Sequence, residues 1–188
     1  MKKVLTFRDR AIRGLGVLAL FFLIGLLPGT PVFAQKVLKG SGVLKLGVFL
    51  GTWNAESTDT AEAGKISAVS TGSWSAGGDF LVVEQVVTND GVKANNLSIF
   101  QYNAATDDYT LTLVGIPGMA PFTVPLAYSG DTLIFHSEYM ENGAKKYNRT
   151  LNIFSSPTSY RYVIQNSSDG VNWQTAGEGR ATKRGSGQ

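Results

Sequence analysis

The chain has 188 residues, with 17 basic and 14 acidic side chains, one histidine and no cysteine. The missing thiols exclude disulfide staples, thiolate metal sites, thiol nucleophiles and thiol redox chemistry, so stability must come from a packed core. The net charge of +3 is modest, and where it sits decides what it means.

Residues 1–34 have the pattern of a removable secretory signal peptide. Lys2, Lys3, Arg8, Arg10 and Arg13 form a positive start, and Leu15 to Leu27 is an unbroken apolar run of thirteen residues. Pro28 and Gly29 break the run, and Val32-Phe33-Ala34 offers the modest side chains that a signal peptidase reads. A bilayer-spanning helix needs about 20 residues, so cleavage is favoured over an uncleaved anchor. No cysteine follows, which excludes lipoprotein attachment. Cleavage after Ala34 leaves 154 residues with 12 basic and 13 acidic side chains, a formal charge of −1. The apparent basicity therefore belongs to the leader and gives no support for nucleic-acid binding. The mature chain is expected to be exported, periplasmic or secreted, with no membrane span, and its length suits one domain.

Residues 35–50 read as a lead-in with a helical turn around 43–50. Beyond it, short runs of period-two alternation replace any helical spacing. Strands are expected near 51–58, 65–75, 79–89, 92–103, 109–116, 121–129, 131–140, 144–155, 159–168 and 171–182, with a flexible tail at 185–188. Asn89-Asp90-Gly91, Ser129-Gly130-Asp131, Glu141-Asn142-Gly143 and Ser168-Asp169-Gly170 supply the positive-φ residues of tight turns. Turns this short leave no room for crossover helices, so the sheet is antiparallel. Ten strands in one sheet must close or split, and closure removes exposed edges. The expected fold is an all-β, ten-stranded, up-and-down barrel over 51–184.

Strand parity predicts which side chains point inward. Tyr109, Leu111 and Leu113 share a face, as do Phe122, Val124, Leu126 and Tyr128, and Tyr160, Tyr162 and Ile164. In 144–155, Tyr147, Leu151 and Ile153 form the apolar face and Arg149 shares it; in the last strand, Val171, Trp173 and Thr175 oppose Asn172, Gln174, Glu178 and Arg180. The expected interior is aromatic: Trp53, Trp74, Phe100, Tyr102, Tyr109, Phe122, Tyr128, Tyr160, Tyr162 and Trp173. Ten strands enclose more than eight, which leaves room for a cavity, and several inward tyrosines imply a polar-dotted cavity, ordered water, or both. Three N-x-Ser/Thr sequons, at Asn96, Asn148 and Asn166, would matter only in a eukaryotic secretory pathway.

Several segments resemble a known architecture. Phe49-Leu50-Gly51-Thr52-Trp53 opens the first strand as the Gly-x-Trp segment does in lipocalin-type (calycin) barrels. Ile99-Phe100-Gln101-Tyr102 and Tyr109 follow, then Ser155-Ser156-Pro157-Thr158-Ser159-Tyr160, Ser168-Asp169-Gly170-Val171-Asn172-Trp173, Glu178-Gly179-Arg180 and Lys183. This order resembles a bacterial family of uncharacterised lipocalin-like barrel proteins, over roughly residues 46–184. The resemblance implies binding of small apolar ligands. One branch, the nitrobindin-like barrels, binds haem through a late-strand histidine. This chain has no histidine after His136, and reads Asn54-Ala55-Glu56-Ser57 where that branch is glycine-rich, so haem is not expected and no other cofactor is implied. Trp53 is suited to plug the closed end, its indole covered by Arg180 or Lys183 of the last strand in a structural cation–π contact.

The remaining candidates are ionisable or apolar side chains in unusual settings. An inward Arg149, helped by Tyr147 and Tyr162, would anchor an acidic head group; pairing with Glu84 inside the barrel, or a bulge turning Arg149 outward, are the structural alternatives. Glu84 shares a face with Phe80, Val82 and Val86, where burial would raise its pKa, or it sits paired at the rim. Trp74 lines the interior. Met119, in the stiff Ile116-Pro117-Gly118-Met119-Ala120-Pro121 loop, suits a mouth lid or a buried turn. His136 and Glu138 fall on the wet face, as an axial ligand or oriented base or as a surface pair. One histidine without cysteine makes a protein-only zinc site improbable, and no phosphate loop or nucleophile elbow is present. The function expected is non-catalytic binding of a small apolar or amphipathic ligand, an acidic one included. The alternatives are an isomerase- or cyclase-like enzyme that brings two of Glu84, Arg149 and His136 into one cavity, and a filled barrel serving as an envelope interaction module.

Overall fold

Period-two patterning with turn residues at short spacing leaves each strand its sequence neighbours to pair with, and the chain follows that rule. The computed structural model describes residues 42–58 and 66–185. The expected signal peptide, the lead-in up to residue 41 and the last tail residues, 186–188, lie outside them. A turn of helix, α1 (Val43–Leu46), and a 3-10 turn (Gly47–Phe49) precede ten strands. These are β1 (Gly51–Ser57), β2 (Ile66–Trp74), β3 (Phe80–Asn89), β4 (Val92–Asn103), β5 (Asp108–Val114), β6 (Phe122–Ser129), β7 (Thr132–Glu141), β8 (Ala144–Ser156), β9 (Ser159–Ser167) and β10 (Gln174–Lys183). Each strand pairs antiparallel with the next, and β10 returns to β1, so the sheet is a closed up-and-down barrel. Among the described residues no helix is long and apolar enough to cross a membrane.

The expected boundaries hold to within two residues, except that β10 begins at 174 instead of 171. Asp90 and Gly91, and Asn142 and Gly143, have the paired positive φ of tight two-residue hairpins. The Ser168-Asp169-Gly170 signal makes a longer connection, because the chain runs from 168 to 173 before pairing again.

One end of the barrel is sealed by the lead-in. Leu46 and Phe49 are fully buried, and the Phe49 ring stacks on Phe100 of β4 with centroids 4.3 Å apart. Lys45 reaches over the Tyr109 and Tyr128 rings at 5.7 and 5.5 Å, and the Tyr109 hydroxyl donates to the Gly42 carbonyl at 3.0 Å. Burial, with Asp107 and Tyr102 nearby, pushes the Tyr109 pKa up to about 12. Trp53 is fully buried and packs on Tyr160 at 5.6 Å.

Directly opposed residues of an antiparallel pair share a face. Trp53 stands opposite Lys183, whereas Arg180 stands opposite Glu56 and is exposed. Lys183 thus holds the β10 position beside the plug, and Arg180, an odd number of residues away, lies on the outer wall. Partial burial holds the Lys183 pKa below its ordinary value.

Every aromatic residue expected inside belongs to the core or packs against it, except Trp173. On β8 the inner face is the reverse of the one its apolar residues predict. Asn148, Thr150, Asn152 and Phe154 are the buried residues there, and Tyr147, Arg149, Leu151 and Ile153 alternate with them on the outer wall. On β10, Gly177, Gly179, Ala181 and Lys183 share the inner parity, while Val171 and Trp173 precede the strand.

The plug requires Gly72 of β2 to have no side chain, since a Cβ there would overlap the Phe49 carbonyl oxygen, a backbone atom. Gly72→Ala is therefore expected to lower unfolding free energy by about 2–3 kcal/mol or displace the lead-in. Urea denaturation, with near-ultraviolet circular dichroism following the plug aromatics, measures both.

Candidate functional site

The lumen changes character along the ring of strands. On β3 to β7 its wall is apolar, with Leu81, Val83, Phe100, Leu111, Val124, Leu126, Leu133 and Phe135 buried. A polar set is interleaved with it: Ser70, Gln85, Asn96, Ser98, Asn148, Thr150 and Asn152 are also buried. Two of these contacts are direct, Gln85 Nε2 donating to Ser70 Oγ at 3.3 Å and Asn148 Nδ2 donating to Asn166 Oδ1 at 2.8 Å.

Most of the buried polar atoms without a hydrogen-bond partner lie on β8, β9 and β1: Thr150 Oγ1, both amide atoms of Asn152, the Tyr160 hydroxyl and Trp53 Nε1. The Tyr128 hydroxyl on β6 stands apart from them. Thr150 and Asn152 lie two apart on β8; Asn152 faces Tyr162 across β9, and Tyr160 is one inward position further on. Between β9 and β1, β10 contributes Gly179 and Ala181, so no bulky β10 side chain separates the two. The Tyr162 ring lies over Gly179, where a Cβ would overlap it. Burial raises the Tyr160 and Tyr162 pKa values well above the ordinary range, which keeps both hydroxyls neutral donors. A buried polar group left unpaired costs about 1–3 kcal/mol, and native proteins keep few of them. Several in one sector make this the candidate lumen site.

Of the residues singled out in the sequence, the structure puts Tyr162 inside that sector. Trp74 is half-buried at the plugged end, with Gly47 against its ring. Met119 is 39% exposed in the β5–β6 loop, at the end of the barrel away from the plug, while its neighbour Ile116 is buried. Glu84 is exposed on the outer wall of β3 with Phe80, Val82 and Val86. Arg149 and Tyr147 are on the outer wall of β8, so neither anchors a group in the lumen. Glu84 is too far around the ring to pair with Arg149, and Glu84, Arg149 and His136 share no cavity. His136 being the chain's only histidine, an interior haem would find no imidazole in this protein.

Sequence reasoning misses Asn148, Thr150 and Asn152 because the apolar residues of β8 fall on its outer face. A usable signal was present in the sequons. Asn96 with Ser98, and Asn148 with Thr150, are N-x-Ser/Thr pairs on strands, and a spacing of two puts both side chains on one face. All four are buried in the lumen.

The outer wall has a cluster of its own. His136, Arg149 and Gln165 stand side by side on β7, β8 and β9. Arg149 Nε donates to Gln165 Oε1 at 2.7 Å, and its guanidinium lies over the Trp173 ring at 4.1 Å. His136 meets the same indole edge-on at 5.8 Å. The β9–β10 loop that delivers Trp173 is locked by Asp169, whose carboxylate accepts from Ser167 Oγ, the Val171 and Asn172 backbone N–H groups and Asn172 Nδ2 at 2.7–2.8 Å. Those donors hold the Asp169 pKa far below the usual carboxylate range, the backbone and side-chain bonds of Asn172 leading. Among the described residues no group of three or more His, Cys, Asp or Glu could hold a metal ion. A scan against protein-family models and a search of curated proteins each returned no match.

Partial burial, and then the Arg149 charge, hold the His136 pKa below 6.5. Arg149 from β8, the Lys145–Glu138 ion pair and the uncharged indole of Trp173 are the groups around it. Removing a neighbouring cation favours the imidazolium, so Arg149→Gln is expected to raise the His136 pKa. Proton NMR titration of this lone histidine checks the direction. Asp169→Ala is expected to release the loop, seen as faster hydrogen exchange at Val171 and Asn172 and red-shifted Trp173 fluorescence.

Proposed function

We propose that this barrel binds a small, uncharged, hydrogen-bonding molecule in its lumen, without catalysing a reaction on it. The observation that carries the reading is the run of unpartnered buried groups on Thr150, Asn152, Tyr160 and Trp53. Together they offer donors from the indole N–H, the amide and the hydroxyls, and acceptors from the Asn152 oxygen and the hydroxyl lone pairs. The inward positions beside Thr150 and Asn152, which are Ile164, Tyr162 and Phe154, are neutral, and Lys183 stands opposite Trp53 at the plugged end. With Arg149 on the outer wall, the middle of the lumen offers no counter-charge to an acidic head group. The aromatic faces of Trp53, Phe154 and Tyr160 suit an apolar portion of the ligand.

Two further parts of the proposal rest on the sequence. The leader pattern in residues 1–34 supports export, to a periplasmic or extracellular site. The Gly-x-Trp opening and the order of the later segments support membership of the lipocalin-like family, and the ten-stranded barrel is compatible with it.

The test separates a binding lumen from a merely polar core. Extraction of protein purified from expressing cells, followed by mass spectrometry, is expected to release a neutral compound at near-stoichiometric yield. Asn152→Leu is expected to abolish that yield while raising the stability of the ligand-free barrel by about 1–3 kcal/mol, because it replaces an unpaired buried amide with an apolar group of similar volume. Release of nothing beyond solvent from the wild type, or full retention in Asn152→Leu, overturns the reading.

A further inference from the structure

The outer-wall cluster is independent of the lumen, and its chemistry is that of an anion receptor held in readiness. An exposed arginine ordinarily loses side-chain entropy when it binds, and that loss weakens the contact. Arg149 is already held on two sides, by Trp173 against one face of the guanidinium and by Gln165 on Nε. Among the described residues no carboxylate is paired with it. The terminal Nη edge therefore presents parallel N–H donors in the planar fork that matches a carboxylate.

The surroundings narrow the ligand. Lys145, a second cation on this wall, is ion-paired with Glu138 and lies over the Tyr147 ring, so the pair adds no net charge. His136 stands beside Arg149 as a ring donor that is neutral near pH 7. Among the described residues Arg149 is the one cation of the cluster without a carboxylate partner, and with the Asp169 carboxylate in the adjoining loop the patch suits a monoanion better than a doubly charged phosphate. Trp173 is half-exposed, and Tyr147 lies two residues from Arg149 on the same wall, against Gly170. These give the organic part of a ligand aromatic surface to cover. The Asp169 lock explains why the indole stays in place, since it fixes the backbone of the loop that carries it.

We infer that Arg149, Trp173 and His136 form a second binding site, on the outer wall, for a monocarboxylate with an aromatic or apolar body. Arg149 takes the carboxylate through its Nη edge, His136 donates from the side, and Trp173 holds the guanidinium flat.

Benzoate is the probe, and the ring protons of His136 are the reporter, because the chain has one histidine. Titration of the purified protein with benzoate is expected to shift these signals saturably, with benzamide and inorganic phosphate giving responses at least about tenfold weaker, as loss of a charge-assisted two-point contact implies. Arg149→Gln is expected to weaken benzoate binding about tenfold or more, and Arg149→Lys nearly as much, since an ammonium keeps the charge but not the fork. Asn152→Leu is expected to leave it unchanged, which separates this site from the lumen. A benzoate response that survives both Arg149 variants, equals that of benzamide, or is exceeded by phosphate overturns the proposal. So does a response lost in Asn152→Leu, which would place benzoate inside the barrel.

Discussion

The pairing of the first strand with the last is the constraint from which the rest follows. Five consecutive residue pairs, from Trp53 opposite Lys183 to Ser57 opposite Gly179, join β1 to β10. Without them the chain would be an open ten-stranded sheet with two exposed edges and no interior. With them every strand acquires an inner and an outer face, and the lumen becomes a place where a polar atom is cut off from water. The plug depends on the same closure. Trp53 is fully buried with β10 closed against its strand and Tyr160 of β9 packed on its ring.

Closure gives polar side chains opposite consequences on the two faces. On the outside Arg161 and Glu178 form an exposed ion pair at 3.0 Å, a contact worth little because water competes for both partners. Inside, water cannot substitute, so Asn148 binds Asn166 and Gln85 binds Ser70 across neighbouring strands. Asn152 has no such neighbour: it faces Tyr162 and Leu133, and its amide is unpaired. A core selected for stability alone would place an aliphatic residue there. The amide makes physical sense if something other than the protein completes its hydrogen bonds.

The outer wall shows the reverse economy of means. An exposed strand residue has no partner imposed on it, yet Arg149 is held on two sides by side chains from other parts of the chain. The device that achieves this is the β9–β10 loop. A single carboxylate, Asp169, collects four donors and turns a flexible connection into a rigid bracket for Trp173. The lumen and the wall cluster lie on the two sides of one sheet, and both are built across β8 and β9. Successive residues of the same strand, Arg149 and Thr150, thus serve different surfaces.

Strand positions, turn positions and the order of pairing were legible in the sequence because they depend on local chemistry. Asp90-Gly91 and Asn142-Gly143 tolerate positive φ wherever they occur, and short turns force neighbours to pair. Inner faces were legible on β5, β6 and β9, where apolar residues such as Leu111, Val124 and Tyr160 alternate with polar ones. On β8 the same alternation pointed to the wrong face. Period two establishes that Tyr147, Arg149, Leu151 and Ile153 share a side, but not that this side is buried; the register with β7 and β9 decides it, and those strands turn Asn148, Thr150 and Asn152 inward. Trp173 lay beyond sequence reading for a similar reason, since its place is set by the Asp169 bracket and not by a strand. By itself, then, the sequence determined a ten-stranded antiparallel barrel with an aromatic plug. Tertiary structure alone decided which polar groups are sealed in and which are offered to solvent, because burial is a property of the closed ring and not of any one strand.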